Sequence, residues 1–235
     1  MGVIDINCDM GEGVPDQEEM MPYLTSANIA CGGHAGDEET MRMTVQQCLK
    51  HGVKIGAHPG YFDKANFGRT EIILPEEEIA MIVHAQCAVF GRIAEACGAR
   101  VEHVKAHGAL YNQAVKNAAI ARAIAEGVGR WRRDVAIMGL AGSLMLDVFR
   151  EAGFRALAEA FADRRYEADG TLRARKFSDA LITDPEAAAA QALRIANVGV
   201  AETICIHGDT PGAVAIAKEV ARVVLGRERP PGLLA

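Results

Sequence analysis

Val101-Glu102-His103-Val104-Lys105-Ala106-His107-Gly108-Ala109-Leu110-Tyr111 is the stretch on which the fold turns. It opens as a short run with β-branched residues, which reads as a strand, and it breaks at a histidine followed by glycine. A reactive residue at the end of such a run is the pattern of parallel α/β folds, whose sites are built from the loops after the strands.

The pattern recurs in both directions from this stretch. Apolar runs at Val3–Cys8, Ala27–Cys31, Val53–Ala57, Val135–Gly139, Arg155–Phe161 and Thr203–Ile206, with Val101–Lys105, make seven expected strands. Most are apolar on both faces, as strands covered on both sides of a parallel sheet must be. Helices are expected between them. Asp37 is placed to cap one that runs to about His51, with Gly52 just beyond its end. Pro75 fits the first turn of the next. Glu76, Glu77 and Glu78 complement its dipole, and Gly98 marks its stop. Thr183 or Asp184 before Pro185, and Thr210 before Pro211, repeat the start signal, and the Ala-rich stretch from Asp184 to about Val198 favours helix. Seven strand–helix units with short connections fit a closed (β/α) barrel or a doubly wound sheet. No GxGxxG follows a strand, so a dinucleotide fold lacks its fingerprint. One domain spanning residues 1–235 accommodates the length.

Composition narrows the function classes. The net charge is −6, with both signs mixed along the chain, so no basic stripe awaits a nucleic-acid backbone. No run of 18 apolar residues is present, and no membrane partner is expected. The segment Met1-Gly2-Val3-Ile4-Asp5-Ile6-Asn7 reads as a strand rather than a secretory leader, which points to the cytoplasm. Six cysteines without a CxxC pair fit buried thiols in a reducing compartment.

The chemistry is concentrated at the strand ends. Asp9-Met10-Gly11-Glu12-Gly13, Gly32-Gly33-His34, His58-Pro59-Gly60, His107-Gly108 and His207-Gly208-Asp209 each follow an apolar run. Four of the seven histidines are there, each within two residues of a glycine that lets a ligand approach closely. One such histidine alone reads as a loop residue bonded to a carbonyl. Four of them, with Asp9 and Glu12, read as one site that barrel closure would assemble. His51, His84 and His103 fall at a helix end, in a helix and in a strand, and read as structural. Imidazoles with a carboxylate suit either a divalent metal or metal-free acid–base work. Without an HExxH helix the spacing does not choose between them.

Two further signals are basic. The irregular stretch from Asp163 to Asp179 contains Arg164, Arg165, Arg173 and Arg175, and Arg69 follows Phe67-Gly68. Arginine forks suit carboxylates and phosphates. Lys105 sits inside an otherwise apolar run, where an unpaired ammonium is costly, and a substrate or phosphate contact is favoured over an internal ion pair.

Six blocks of this sequence resemble the LamB/YcsF family, the family of 5-oxoprolinase A-subunits. They are Asp5–Glu12, Ser26–Asp37, Gly56–Tyr61, His107–Asn112, Phe161–Arg164 and His207–Val214, in the family's order. The resemblance implies a seven-stranded (β/α) barrel related to the deacetylase and glycoside hydrolase barrels. It implies ATP-dependent opening of 5-oxo-L-proline to L-glutamate, ADP and phosphate, together with separate B and C subunits. Asp9, His58 and His107 occupy places comparable to the metal ligands of the deacetylases. On this reading Asp9 is general base or metal ligand, Glu12 is catalytic, and His58 and His107 polarise the carbonyl or hold the metal. His34, Lys105, Arg69 and Arg164 contact substrate, and His207 and Asp209 complete the pocket wall. Ala106 before His107 and Thr70 after Arg69 depart from the family pattern. The rival readings are a stand-alone metal-dependent deacetylase or amidohydrolase, and a non-catalytic subunit that binds a small acid. No GxxxxGK[ST] loop is present to place ATP on this chain.

Overall fold

The apolar runs become the staves of a closed barrel. In the computed structural model, which describes residues 4–15 and 17–226, the strands are β1 (Asp5–Met10), β2 (Ser26–Ala30), β3 (Lys54–His58), β4 (Val101–Lys105), β5 (Ala136–Leu140), β6 (Arg155–Phe161) and β7 (Thr203–His207). Each pairs in parallel with the next, and β7 pairs with β1. Closure excludes the doubly wound alternative.

Several strands run past the ends expected from sequence. Asp9 is registered with Asn28 on one side and with His207 on the other, and Ala30 with His58. The ladder therefore holds Asp9, His58 and His207 within strands rather than loops. Val3 of the expected first strand lies outside the described residues.

The helices are α1 (Gln17–Met20), α2 (Glu38–His51), α3 (Glu76–Ala96), α4 (Gly108–Lys116), α5 (Ala118–Trp131), α6 (Leu144–Glu151), α7 (Pro185–Val198) and α8 (Ala213–Leu225). Asp37 caps α2 by accepting from the Thr40 amide at 2.8 Å, and Gly52 ends that helix in the left-handed region. Asp184 caps α7 in the same way, accepting from Ala187 at 2.9 Å. Pro75 stands just outside α3 rather than in its first turn. The Thr210 side chain caps no helix. α8 starts three residues later, after Gly212, because the Thr210 hydroxyl is used inside the site.

α3 is long and apolar enough to cross a membrane by length and composition alone. Here its stripe of Ile79, Val83, Cys87 and Phe90 is fully buried, and the helix packs along α5. Burying one such large side chain contributes about 1.5–3 kcal/mol. No disulfide joins the six thiols, of which only Cys97 is half-buried.

The barrel interior is polar and tiered. At the bottom, the Asp5 carboxylate accepts from Thr25, Ser26 and Thr203 hydroxyls at 2.6–2.7 Å. In the middle, Asn7 donates to Thr203 at 2.7 Å and Asn28 donates to Asn7 at 2.8 Å. The His103 Nε2–H donates to Asn28 Oδ1 at 2.8 Å, because an amide oxygen only accepts. At the top, Asp9 begins the site.

The stretch after β6 is a folded flap, held by antiparallel bridges between Arg164 and Leu181 and between Tyr166 and Leu172. The Gln191 amide from α7 pins its base by donating to the carbonyls of Phe161 and Arg164, both at 2.8 Å.

Candidate active site

Ring orientation defines the centre. His58 Nδ1 lies 2.7 Å from the Lys105 carbonyl, so that nitrogen carries a proton and donates it. His107 Nε2 lies 2.9 Å from the Phe67 carbonyl and is fixed likewise. The remaining nitrogens, His58 Nε2 and His107 Nδ1, then face one another at 2.9 Å. Asp9 Oδ2 is 3.3 Å from His58 Nε2, and Glu12 Oε1 is 3.3 Å from His107 Nδ1. His34 stacks on His107 with ring centroids 3.5 Å apart and donates from Nε2 to Glu12 at 2.9 Å.

Close packing of loops makes this possible. Phe67, which supplies the carbonyl to His107, sits at φ 56, a strained value for a residue with a side chain. Gly68 follows at φ 63, and a Cβ there would lie 2.7 Å from His34 Cβ and 2.9 Å from His107 Cδ2. Only glycine lets this loop close over both rings.

The charge states follow from this geometry. Burial pushes the Asp9 carboxyl up, but His58 and Lys105 outweigh it and hold Asp9 well below the usual carboxylate range. Glu12 is held low against burial by its close contacts with His107 and His34. Burial pulls His58 down, yet the Asp9 and Glu12 charges raise it above the ordinary histidine value. His34 is pushed down to about 4, chiefly by burial, and is neutral near pH 7. Two carboxylates and two inward-facing imidazole nitrogens thus converge on one small volume. A single positive centre, proton or cation, satisfies them all.

Below them Lys105 Nζ lies 2.9 Å from both Asp9 Oδ1 and Glu159 Oε1, and 3.2 Å from Cys205 Sγ. The internal ion pairs, the less favoured expectation from sequence, are formed here, and the residue still reaches the cavity wall. Burial lowers its basicity, but the surrounding Asp9 and Glu159 carboxylates more than restore it.

Across the barrel, Asp163 is fully buried and receives the His207 amide at 3.0 Å, the His207 Nδ1–H at 3.0 Å and the Thr210 hydroxyl at 2.5 Å. Burial pushes its carboxyl up, and the charge and hydrogen bond of His207 bring it below the usual value.

A cavity of about 580 Å³ opens over this floor. Asp9, Glu12, His58, Lys105, His107 and His207 line it. Its outer part carries Arg69, Arg164, Arg175 and Asp209. Asp209 pairs with Arg69 at 2.5 Å and takes a two-pronged contact from Arg175 at 2.9 and 3.1 Å. His34 is buried behind His107 and does not line the cavity.

Nine of the ten residues singled out in the sequence therefore line one cavity, and His34, expected to contact substrate, instead backs His107 and Glu12 from behind it. Sequence reasoning passed over Glu159, Asp163, Asn28 and Cys205. Glu159 carries the same signal that drew attention to Lys105, a charge inside an apolar strand, and the two side chains pair. Asp163 had no such mark, because its value lies in what the distant His207 and Thr210 present to it.

Comparison with known proteins agrees with the fold and motifs. Residues 4–229 match the LamB/YcsF family. A protein of Chloroflexus aggregans, named as the A-subunit of 5-oxoprolinase, is 48% identical over 231 residues, covering 91% of this chain and 92% of its own. One of the same name from Bordetella pertussis is 46% identical over 243 residues, 96% of each chain. The crystal structure of the lactam utilization protein from Thermus thermophilus superposes with a TM-score of 0.88 at 35% identity, over 96% of this chain and 97% of that one. The chain belongs to the LamB/YcsF family.

Proposed function

We propose that this chain is the A-subunit of a cytoplasmic, ATP-dependent 5-oxoprolinase, which works with separate B and C subunits to open the lactam of 5-oxo-L-proline to L-glutamate, with ADP and phosphate as co-products. Relatives of near-equal length carry that name. The observation that carries the reading is the convergence of Asp9, Glu12, His58 and His107 on one wall of a cavity sized for a small molecule.

A lactam is resonance-stabilised, so its opening needs an activated carbonyl, a placed water and a proton for the leaving nitrogen. ATP supplies the activation by phosphorylating the amide oxygen. In this chain Asp9 and Glu12 are ionised and can take the proton of an attacking water. His58, held charged beside them, can stabilise the negative charge of the phosphoryl group carried on the activated oxygen. Asp163 fixes the His207 ring by accepting from Nδ1–H, which leaves Nε2 free to take a proton from solvent and pass it to the leaving amine. Lys105 holds Asp9 in place.

The donor set also fits a divalent cation. Glu12, His34, His58 and His107 each offer one ligand atom within 4.8 Å of the others, and backbone carbonyls lock the two central rings from behind. Such an ion would lower the pKa of a bound water and polarise the carbonyl.

The test is glutamate release from 5-oxo-L-proline by the purified chain, with and without B and C subunits and ATP. Turnover is expected only with all components. ATP-independent cleavage of an N-acyl substrate by the chain alone would favour the deacetylase or amidohydrolase reading, to which the cation-ready donor set also lends itself. Elemental analysis of the same sample, with a Glu12→Gln control, is expected to show one divalent metal per wild-type chain and loss of it in the variant.

A further inference from the structure

Three arginines line the outer cavity, and they are not equivalent. Arg69 and Arg175 share the Asp209 carboxylate, and each is partly open to solvent. Arg164 is only 5% exposed and has no carboxylate at ion-pair distance among the described residues. Its side chain donates from Nη2 to the Arg173 carbonyl at 2.7 Å, inside the flap. Its Nε is buried and without a hydrogen-bond partner among the described residues.

A guanidinium presents five donors in a rigid plane and stays charged, so leaving it buried and unpaired is costly. The structure nonetheless builds a rigid seat for it. The backbone of Arg164 bridges to Leu181, its carbonyl is held by Gln191, and its side chain is braced by the Arg173 carbonyl. Burial, and then the charge of neighbouring Arg175, lower its pKa to about 10, the direction expected where positive charge lacks a counterion. The cavity is thereby polarised. Its floor is carboxylate and imidazole, and the side walled by the flap is cationic.

We infer that Arg164, seconded by Arg175, is an oxyanion subsite that takes the carboxylate or phosphoryl group of the ligand whose reactive carbonyl lies over the Asp9–His107 floor. The inference rests on the proposed lactam chemistry for the identity of the ligand, but the subsite itself follows from the unpaired guanidinium. Asp209 keeps Arg175 and Arg69 occupied, so an arriving anion meets Arg164 as the one cavity guanidinium that no carboxylate among the described residues already matches. A carboxylate or phosphate oxygen has the charge and lone pairs that the free Nε–H lacks.

Binding to the full-length chain, measured by calorimetry, tests this without turnover. The probes are 5-oxo-L-proline, 2-pyrrolidinone (the same ring without a carboxylate), L-proline (the carboxylate without the lactam) and inorganic phosphate. Wild type is expected to bind 5-oxo-L-proline at least tenfold more tightly than 2-pyrrolidinone. Arg164→Gln should erase that preference, and Arg164→Lys should keep part of it. Arg175→Gln, at a more exposed position, should weaken the anionic probes by a smaller factor and guards against a folding defect at Arg164. Competition by phosphate would assign the subsite to a phosphoryl group, and competition by L-proline alone to the carboxylate. Binding of L-proline or phosphate in an Arg164-dependent way, without binding of 5-oxo-L-proline, would uphold the subsite and sink the lactam reading. Equal binding of 5-oxo-L-proline and 2-pyrrolidinone, or retention of the preference in folded Arg164→Gln, would overturn the subsite.

Discussion

The two ends of the barrel interior are both polar, and they are built on opposite principles. At the bottom, donors and acceptors match. Asp5 accepts three hydroxyls, and the middle tier passes from Thr203 through Asn7 and Asn28 to His103 without a conflict. At the top, acceptors face acceptors, with two carboxylates and two imidazole nitrogens turned towards each other by bonds at their backs. The matched end closes the barrel. The mismatched end is stable only with a charge placed among its members, which is what a reacting group, a proton or a cation supplies. Buried polarity by itself therefore does not mark a site, whereas buried polarity without a complement does.

The largest effect that would break this contrast is at the top. Asp9→Asn and His107→Ala are each expected to cut glutamate release by the assembled complex by about 10³-fold, the scale of removing a proton-transfer group. Thermal midpoints should fall in both, because Asp9→Asn removes the charge that pairs with buried Lys105 and His58, and His107→Ala empties the space stacked against His34, so turnover is taken per folded molecule. Near-wild-type turnover in both variants would remove the top end from the chemistry.

At the bottom the expectation inverts. Asp5→Ala strands the hydroxyls of Thr25, Ser26 and Thr203. It should cost about 1–3 kcal/mol in urea unfolding, with turnover per folded molecule unchanged. A loss of turnover out of proportion to the folded fraction would mean that the two ends are coupled.

The smallest effect concerns Asp163, whose folded pKa lies below the value of about 3.9 for an unfolded aspartate. Its ionised form is the one that the fold prefers. Its contribution is complete above about pH 4 and is lost as pH falls through the depressed folded value. The gap in denaturant midpoint between wild type and Asp163→Asn should therefore shrink between pH 6 and pH 3. A gap independent of pH would show that Asp163 acts through shape rather than charge.

How much of this was legible in the sequence depends on the kind of signal. His58, His107 and His207 stood out because each ends an apolar run beside glycine, and parallel closure brings such ends to one face. Thr210 misled for a related reason. Thr-Pro is a good helix start, but the buried carboxylate of Asp163, beyond the end of the neighbouring strand, offered its hydroxyl a stronger use. The ion pairs of Lys105 were not legible, because an apolar strand shows a lone charge without showing that β6 carries Glu159 to meet it. The flap read as irregular since its pairing is two isolated bridges rather than a run of alternating residues.

Sequence alone determined the seven strands, the helix caps at Asp37 and Asp184, and which histidines gather with Asp9 at one barrel rim. Those depend on local periodicity, on backbone amides needing nearby acceptors, and on glycine's freedom to turn. Only the tertiary structure decided between closed barrel and open sheet, because that rests on β7 finding β1 across nearly the whole chain. It alone decided which nitrogen of each histidine faces inward, since the deciding bonds run from His58 to Lys105 and from His107 to Phe67. The state of Arg164 was likewise a tertiary matter. An arginine in a charged loop is ordinary, and one sealed under a flap with no carboxylate among the described residues to meet it exists only once the chain has folded back on itself.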